Sequence, residues 1–140
     1  MPDDQPSSRH FGEFPFHRFL GVAIEEQRTG FARISMTAGP NTLGGIGGSV
    51  HGGVLAALVD IAMLQAIFST FGPEDEPAGT ADLNITYLRP ALGKRIYAEA
   101  TVVKKGRSLA MTEVSIIDEQ GRLCARGRTL YAIRQRKAGR

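Results

Sequence analysis

The chain has 140 residues, of which 42% are hydrophobic and 22% charged, with a net charge of +3. That length suits one domain with a single core, and the composition is ordinary for a globular protein. The only cysteine, Cys124, excludes a disulfide within the chain and is interpreted as a small core residue.

The charge is distributed unevenly along the chain. Residues 1–80 hold 4 basic and 9 acidic side chains, a net charge of −5, whereas residues 81–140 hold 13 and 5, a net charge of +8. The basic half suits either an anionic partner, such as nucleic acid, a membrane surface or a phosphorylated ligand, or a solvated basic face. The chain has no Trp and no strip of basic and aromatic residues, which argues against nucleic acid. The polar first ten residues lack the apolar core of a signal peptide, so we expect a cytoplasmic protein.

The first third of the chain reads as an extension, two strands and a loop. Residues 1–20 are predicted to be an N-terminal extension, partly disordered or with a short helix. Alternating side chains predict strands at 22–28 and 31–36. Five glycines and Pro40 between residues 39 and 49 predict a loop with left-handed or closely approaching backbone.

A long apolar helix is predicted next. Residues 54–71 are rich in Ala and Leu and lack Gly and Pro, which predicts a helix of roughly 27 Å. It is apolar on nearly all sides, so we expect it to be buried. A transmembrane span is the alternative at this length, but Asp60 and Gln65 would be costly in lipid. We therefore expect no membrane partner.

Residues 72–78 contain Gly72 and two prolines and are predicted to form a turn. The rest of the chain favours strands, which are predicted at 79–88, 95–104, 108–118 and 122–134. Residues 105–107 and 118–121 are typical of hairpin connections, so the final strands should be antiparallel neighbours. One helix buried by five or six strands requires a curved sheet, which is an α+β architecture. We expect the domain to span residues 21–136, followed by a tail at 137–140.

The segment His51-Gly-Gly-Val-Leu-Ala-Ala-Leu-Val-Asp60 carries the most chemical information. The first turn of a helix has free N–H groups at its positive end, and glycines let a ligand approach those amides. A carbonyl oxygen placed there would be polarised as in an oxyanion hole. His51 is equally compatible with a simple capping role. Asp60 interrupts an apolar helix, and a buried carboxylate is costly unless it is bonded structurally or used in catalysis.

The spacing of these residues suggests an oligomer. His51 and Asp60 are nine residues apart, so they point to opposite sides of the helix and lie roughly 13 Å apart along its axis. One chain cannot easily direct both the Gly52 amide and Asp60 at the same carbonyl. Two chains can do so if their helices lie antiparallel across a two-fold axis.

With this segment, the sequence resembles the hotdog-fold thioesterases, specifically the phenylacetate-degradation (PaaI-like) group. The resemblance runs from about residue 20 to residue 134 and includes the His51–Asp60 segment. It is carried further by the segments Thr80–Ala91, Lys104–Ala110 and Ala125–Thr129. It implies a hotdog fold, a long central helix wrapped by an antiparallel sheet, and homodimers or homotetramers.

The resemblance also implies catalytic roles and a reaction. Asp60 would act as general base or nucleophile, Gly52 N–H would polarise the thioester carbonyl, and His51 would orient the loop or bond the substrate. Thr80 would help to position water, and Asn41 matches an Asn or Gln that some members place nearer to the His. The reaction would be hydrolysis of an acyl-CoA with an aromatic or medium-chain acyl group, without a metal or other cofactor.

The basic half then gains a use, because CoA carries several phosphate charges. The residues expected to contact the substrate or its CoA moiety are Gly53, Asn84, Arg89, Lys104, Lys105, Gly106, Arg107 and Ser108. Two other classes of function stay open. A non-catalytic acyl-CoA sensor would share the fold, and a hotdog hydratase or dehydratase would use a His with an acid.

Overall fold

The computed structural model describes residues 10–137, which form a six-stranded antiparallel sheet around one long helix. This arrangement confirms the predicted α+β hotdog fold. The predicted disorder of residues 1–9 and the tail after residue 137 lie outside the described residues. In chain order the elements are a 3-10 turn at Phe11–Glu13, α1 (Pro15–Leu20), β1 (Val22–Arg28), β2 (Phe31–Thr37), a 3-10 turn at Ile46–Gly48, α2 (Gly52–Phe68), β3 (Asp75–Tyr87), β4 (Arg95–Lys105), β5 (Leu109–Ile117) and β6 (Leu123–Gln135).

The strands lie in the order β1-β2-β4-β5-β6-β3, and every neighbouring pair is antiparallel. The β4–β5 and β5–β6 pairs confirm the two predicted hairpins. β3 pairs with β6, however, and not with β4, which follows it in the chain. The amides of Leu88 and Arg89 both donate to the Cys124 carbonyl on β6, at 2.9 and 3.0 Å, before the chain turns towards β4. This connection leaves β3 at one edge of the sheet.

The helix α2 is the centre of the core and contacts all six strands. Leu58, Val59, Ala62 and Met63 are fully buried on it, as expected for a helix that is apolar on nearly every side. Gly127 on β6 allows the closest approach, because a Cβ there would lie 2.7 Å from a Val59 methyl carbon. The sheet therefore wraps the helix at a distance that only glycine permits at this point.

The observed ends of two elements differ from the prediction. α2 begins at Gly52 and ends at Phe68, and the hydroxyls of Ser69 and Thr70 donate to carbonyls of its last turn, both at 2.6 Å. β3 begins at Asp75, four residues before the predicted start. Proline suggested a turn here, but an edge strand tolerates proline because one of its sides makes no ladder hydrogen bonds.

The segment before β1 packs on the core. Phe11 and Leu20 are each only 2% exposed. Proline begins α1 and Gly21, with φ of 71°, ends it in the left-handed conformation. Within residues 10–137, no helix combines the length and the apolarity needed to cross a lipid bilayer.

Candidate active site

His51 is the N-cap of α2. Its Nδ1 accepts a hydrogen bond of 2.9 Å from the Gly53 amide, so a neutral imidazole would carry its proton on Nε2. The backbone N–H of His51 donates to the Thr42 carbonyl at 2.8 Å. The structure therefore gives His51 a capping contact, and it uses the Gly53 N–H within the protein.

The Gly52 amide differs from its neighbour. Among the described residues, no acceptor lies within hydrogen-bonding geometry of Gly52 N–H. The Gly52 carbonyl accepts a hydrogen bond of 2.7 Å from the Tyr87 hydroxyl, at the end of β3. A Cβ on Gly52 would lie 3.3 Å from Cζ of that tyrosine, so the ring rests directly on the start of the helix. Gly52 thus has a free N–H, and its helix turn is held in place by the Tyr87 side chain.

A cavity of about 360 Å³ opens beside Gly52. Its walls are largely apolar, with Ile46, Val50, Leu55, Tyr87, Leu88 and Pro90 among the lining residues. Arg89 is the charged residue of the lining, and its side chain is exposed. Gly52, whose amide is free, therefore lines a pocket with the volume and polarity of a small-ligand site.

Asp60 lies further along α2 and is half-buried. The Thr80 hydroxyl on β3 donates to its Oδ1 at 2.7 Å. Thr80 pairs with the buried Tyr131, so it faces the helix side of the sheet. The register shifts between Thr80 and Asp82, which turns Asp82 to the outer face and lets Thr80 point inward. Burial raises the pKa of Tyr131, and the Asp60 charge raises it further.

The structure keeps the two chemical groups apart within one chain. Gly52 and Asp60 are separated by about 12 Å along the helix axis. Asp60 is also absent from the lining of the cavity beside Gly52. One chain therefore holds two candidate half-sites: an amide beside an apolar pocket, and a carboxylate bonded to a hydroxyl.

Asn41 lies at the base of the glycine loop, which we define as residues 44–49. Its side-chain amide donates to the Phe19 carbonyl at 3.4 Å, and its side chain is exposed. Leu43 and Val50 form an isolated antiparallel bridge, and the contact between Thr42 and His51 closes the base below it. The extra glycines therefore lie in a loop whose two ends are joined, and Thr42 stays beside His51 although the two are nine residues apart in the chain.

Of the residues predicted to contact CoA, Lys105 forms an ion pair within the protein, and the others lie in several parts of the fold. Lys105 pairs with Asp75 at 2.8 Å, and this ammonium, together with the Gly72 amide, lowers the pKa of Asp75 to about 2. The Lys105 charge is thus already used within the protein. The remaining predicted contacts other than Gly53 lie in four places, which are the second half of β3, the cavity lining, the end of β4 and the β4–β5 turn. They are Asn84 on β3, Arg89 in the lining, Lys104 on β4, and Gly106, Arg107 and Ser108 in the turn.

Of the residues that line the pocket, only Gly52 and Arg89 were predicted as site residues, and Tyr87 and Ile46 are among those that were not. Tyr87 lies inside a segment that carried the resemblance, but its contact with Gly52 joins residues 35 apart in the chain. Ile46 lies in the glycine loop and is 86% exposed. The only feature of the sequence that could have indicated Ile46 as a pocket residue is that it is a single branched aliphatic residue within a run of glycines.

Comparison with known proteins adds to this geometry. The family model of the thioesterase superfamily matches residues 47–125, more than half of the chain, including Gly52 and Asp60. The chain belongs to the thioesterase superfamily. Its enzyme class is thioester hydrolase, and the predicted resemblance to hotdog thioesterases is confirmed at the level of the superfamily. The narrower phenylacetate-degradation group stays a prediction.

Individual thioesterases match most of the chain. The medium/long-chain acyl-CoA thioesterase YigI of Escherichia coli is 31% identical over 132 residues, which cover 85% of each protein. The crystal structure of thioesterase superfamily member 2 from zebra fish is 30% identical, with a TM-score of 0.76 over 91% of this chain and 94% of that one. Thioesterase HI1161 of Haemophilus influenzae shares the fold at 20% identity, with a TM-score of 0.83 over 100% and 97%.

Proposed function

We propose that this thioesterase hydrolyses acyl-CoA to a free acid and CoA, with an aromatic or medium-chain acyl group as substrate. The observation that carries the proposal is the free N–H of Gly52, which begins α2 and lines an apolar cavity. A thioester carbonyl oxygen on this amide would gain charge during attack, and the helix N-terminus would stabilise that charge. The name of the Escherichia coli relative supports acyl-CoA as the substrate class.

Asp60 supplies the second group that the reaction needs. With one carboxylate oxygen bonded to Thr80, the other oxygen is available either to take a proton from water or to attack the carbonyl. In the first route the water attacks the carbonyl as it loses its proton to Asp60; in the second, an anhydride forms on Asp60 and water then hydrolyses it. In both routes the C–S bond breaks, the acyl group leaves as the free acid, and the CoA thiolate gains the proton that the water loses. The proposed reaction uses water and the groups of the protein and requires no cofactor.

The separation of the two half-sites supports a homodimer, either alone or within a tetramer. With two α2 helices antiparallel across a two-fold axis, Gly52 of one subunit faces Asp60 of the other. β3 is an edge strand that is paired with β6 on one side only, which leaves its other side for a second copy. Each dimer would then contain two complete sites. Arg89, Lys104 and Arg107 are the side chains we propose for the phosphates of CoA.

Release of free thiol from a panel of acyl-CoAs tests the proposed function. We expect wild-type protein to release CoA and Asp60→Asn to reduce turnover about 10²-fold or more, since the amide cannot act as base or nucleophile. Asp82→Asn is the matched control, because it removes the same charge from the outer face of β3. We expect it to keep wild-type activity.

Two outcomes contradict the proposal. Wild-type protein that binds acyl-CoA tightly but releases no thiol from any member of the panel would be an acyl-CoA sensor. An Asp60→Asn protein that is folded, correctly assembled and fully active would remove Asp60 from catalysis.

A further inference from the structure

Ile46 is the most exposed large hydrophobic side chain in the described part of the chain, at 86%. Its exposure does not result from an unstructured loop. The amides of Gly44 and Gly45 donate to the Ser49 carbonyl at 3.2 and 2.9 Å, and the Ser49 amide donates back to the Ile46 carbonyl at 3.2 Å. Ser49 is 4% exposed, so the glycine loop is fastened to the protein at its end.

The backbone conformation of the glycine loop requires glycine at four of its positions. A Cβ on Gly45 would lie 2.3 Å from the Ser49 hydroxyl and 2.8 Å from the Val50 carbonyl, which no side chain can satisfy without moving backbone. Gly44, Gly47 and Gly48 have φ angles of 142°, 65° and 78°, in the region that disfavours other residues. The loop is therefore a specified turn that holds one branched aliphatic side chain at its tip.

The tip of the loop forms part of the wall of the cavity beside Gly52. Ile46 lines that cavity together with Leu88, which is itself 56% exposed. We propose that Ile46 determines acyl-chain specificity, by closing the outer wall of the pocket over an apolar acyl group whose thioester carbonyl rests on Gly52 N–H. This inference depends on the proposed function for the position of the carbonyl. The exposed isoleucine is then covered when the substrate binds, which favours longer apolar chains over short ones.

The acyl group fits this pocket better than the polar parts of CoA do. The walls around Ile46 are apolar, and Arg89 is the charged residue of the lining. Lys104, near the end of β4, and Arg107, in the turn that follows it, are not part of the lining. A phosphate would lose its hydration in the apolar pocket without gaining a buried partner.

Binding of two non-hydrolysable thioethers tests this inference, because it does not depend on turnover. We expect calorimetry to show that wild-type protein binds S-octyl-CoA more tightly than S-ethyl-CoA. Ile46→Ala should reduce this preference, the ratio of the two dissociation constants, by about tenfold. Ile46→Leu should preserve the ratio to within about twofold, since it keeps the apolar volume.

Val103→Ala is the matched control, because Val103 is a branched aliphatic residue, 54% exposed, on β4 and outside the cavity. We expect it to bind both thioethers as the wild-type protein does. An unchanged preference in Ile46→Ala, or wild-type protein that binds neither thioether, would overturn the inference. So would a change of oligomeric state in Ile46→Ala, because Ile46 would then be an interface residue. Failure of the proposed function has a different signature, since the thioethers would bind with the expected preference while no acyl-CoA was hydrolysed.

Discussion

Gly52 contributes to the candidate site through its amide and through its missing side chain. Its N–H is free, and the absence of a Cβ lets the Tyr87 ring lie against the first turn of the helix. The Tyr87 hydroxyl bonds to the carbonyl of the Gly52–Gly53 peptide, and His51 bonds to the N–H of the same peptide. Both ends of this peptide are therefore held, which fixes the direction of the neighbouring Gly52 N–H.

Tyr87→Phe isolates the hydroxyl, because it keeps the ring and removes the donor. A neutral hydrogen bond contributes about 1 kcal/mol, which corresponds to a change of roughly threefold to tenfold in rate. We expect kcat to fall by about that factor while KM changes little, since the hydroxyl holds the amide that we propose stabilises charge in the transition state. Steady-state thiol release at saturating and limiting acyl-CoA separates the two constants.

Tyr97→Phe is the control for this substitution. Tyr97 lies on β4 beneath the guanidinium groups of Arg33 and Arg95, and its hydroxyl makes no hydrogen bond with the described residues. We expect its kcat to equal that of the wild type. A Tyr87→Phe protein with unchanged kcat would show that the hydroxyl does not position the amide.

Residues that act through local geometry could be predicted from the sequence. The relation of His51 to Asp60 follows from helix periodicity alone, as does the free amide at the start of the helix. The contact of Thr80 with Asp60 joins a strand to the helix, and only the resemblance pointed to Thr80. Tyr87 could not be predicted, because its bond to Gly52 depends on where β3 ends relative to α2.

At the scale of elements, the contact between α2 and β6 sets how tightly the sheet wraps the helix. Gly127 is buried, and its neighbour on the helix is the fully buried Val59. Native cores tolerate extra volume poorly, because close packing leaves no room for an added methyl group. This contact therefore reports on the packing of the central helix.

Gly127→Ala should lower the free energy of unfolding by about 1–3 kcal/mol, since its Cβ would lie within 2.8 Å of both Val59 methyl carbons. Urea unfolding at a fixed protein concentration measures the change. Combining Gly127→Ala with Val59→Ala should show a favourable coupling, because the smaller side chain makes room for the new methyl group.

Gly39→Ala provides the comparison for a glycine with space around it, since a Cβ at this position would meet no heavy atom within 4 Å beyond its chain neighbours. We expect its stability to stay close to the wild-type value. Equal stability of Gly127→Ala and Gly39→Ala would mean that the helix can shift away from β6 at little cost.

Most of the helices and strands could be predicted from the sequence, whereas only some of the strand pairings could. Hairpins at residues 105–107 and 118–121 are local signals, and both were predicted correctly. The pairing of β3 with β6 is a contact between distant segments, made by backbone hydrogen bonds that carry little sequence information. The same limit explains why the strand start at Asp75 was read as a turn.

At the scale of the whole molecule, the proposed homodimer would complete each half-site of one chain with the other half-site of a second copy. The fold and the superfamily are established for the single chain, and the assembly is the part of the proposal that mutation can test directly. Complementation between subunits offers the most direct measurement, because each damaged subunit would retain the half that the other has lost.

Mixed dimers of Asp60→Asn and Gly52→Pro subunits should regain about half of the wild-type activity, because one of the two sites would contain both intact groups. Proline removes the Gly52 N–H, and the preceding residue, with ψ of 134°, already has the extended conformation that proline requires. Differently tagged subunits, purified together, give the mixed species for the thiol-release assay.

Gly52→Ala is the matched control, because it adds the same Cβ against Tyr87 but keeps the N–H. We expect the Gly52→Ala homodimer to be substantially more active than the inactive Gly52→Pro homodimer. Properly formed mixed dimers of Asp60→Asn and Gly52→Pro with no recovered activity would count against sites shared between subunits.

The closed base of the glycine loop has a consequence for how this enzyme can change. Thr42 and His51 are joined by a backbone hydrogen bond, and Leu43 and Val50 form a bridge just above it. Residues can therefore be added or removed above this bridge without displacing the start of α2. We expect insertions and deletions at the tip to alter the outer wall of the pocket while Gly52 keeps its position, so that the proposed acyl-binding wall and the proposed catalytic amide can evolve separately.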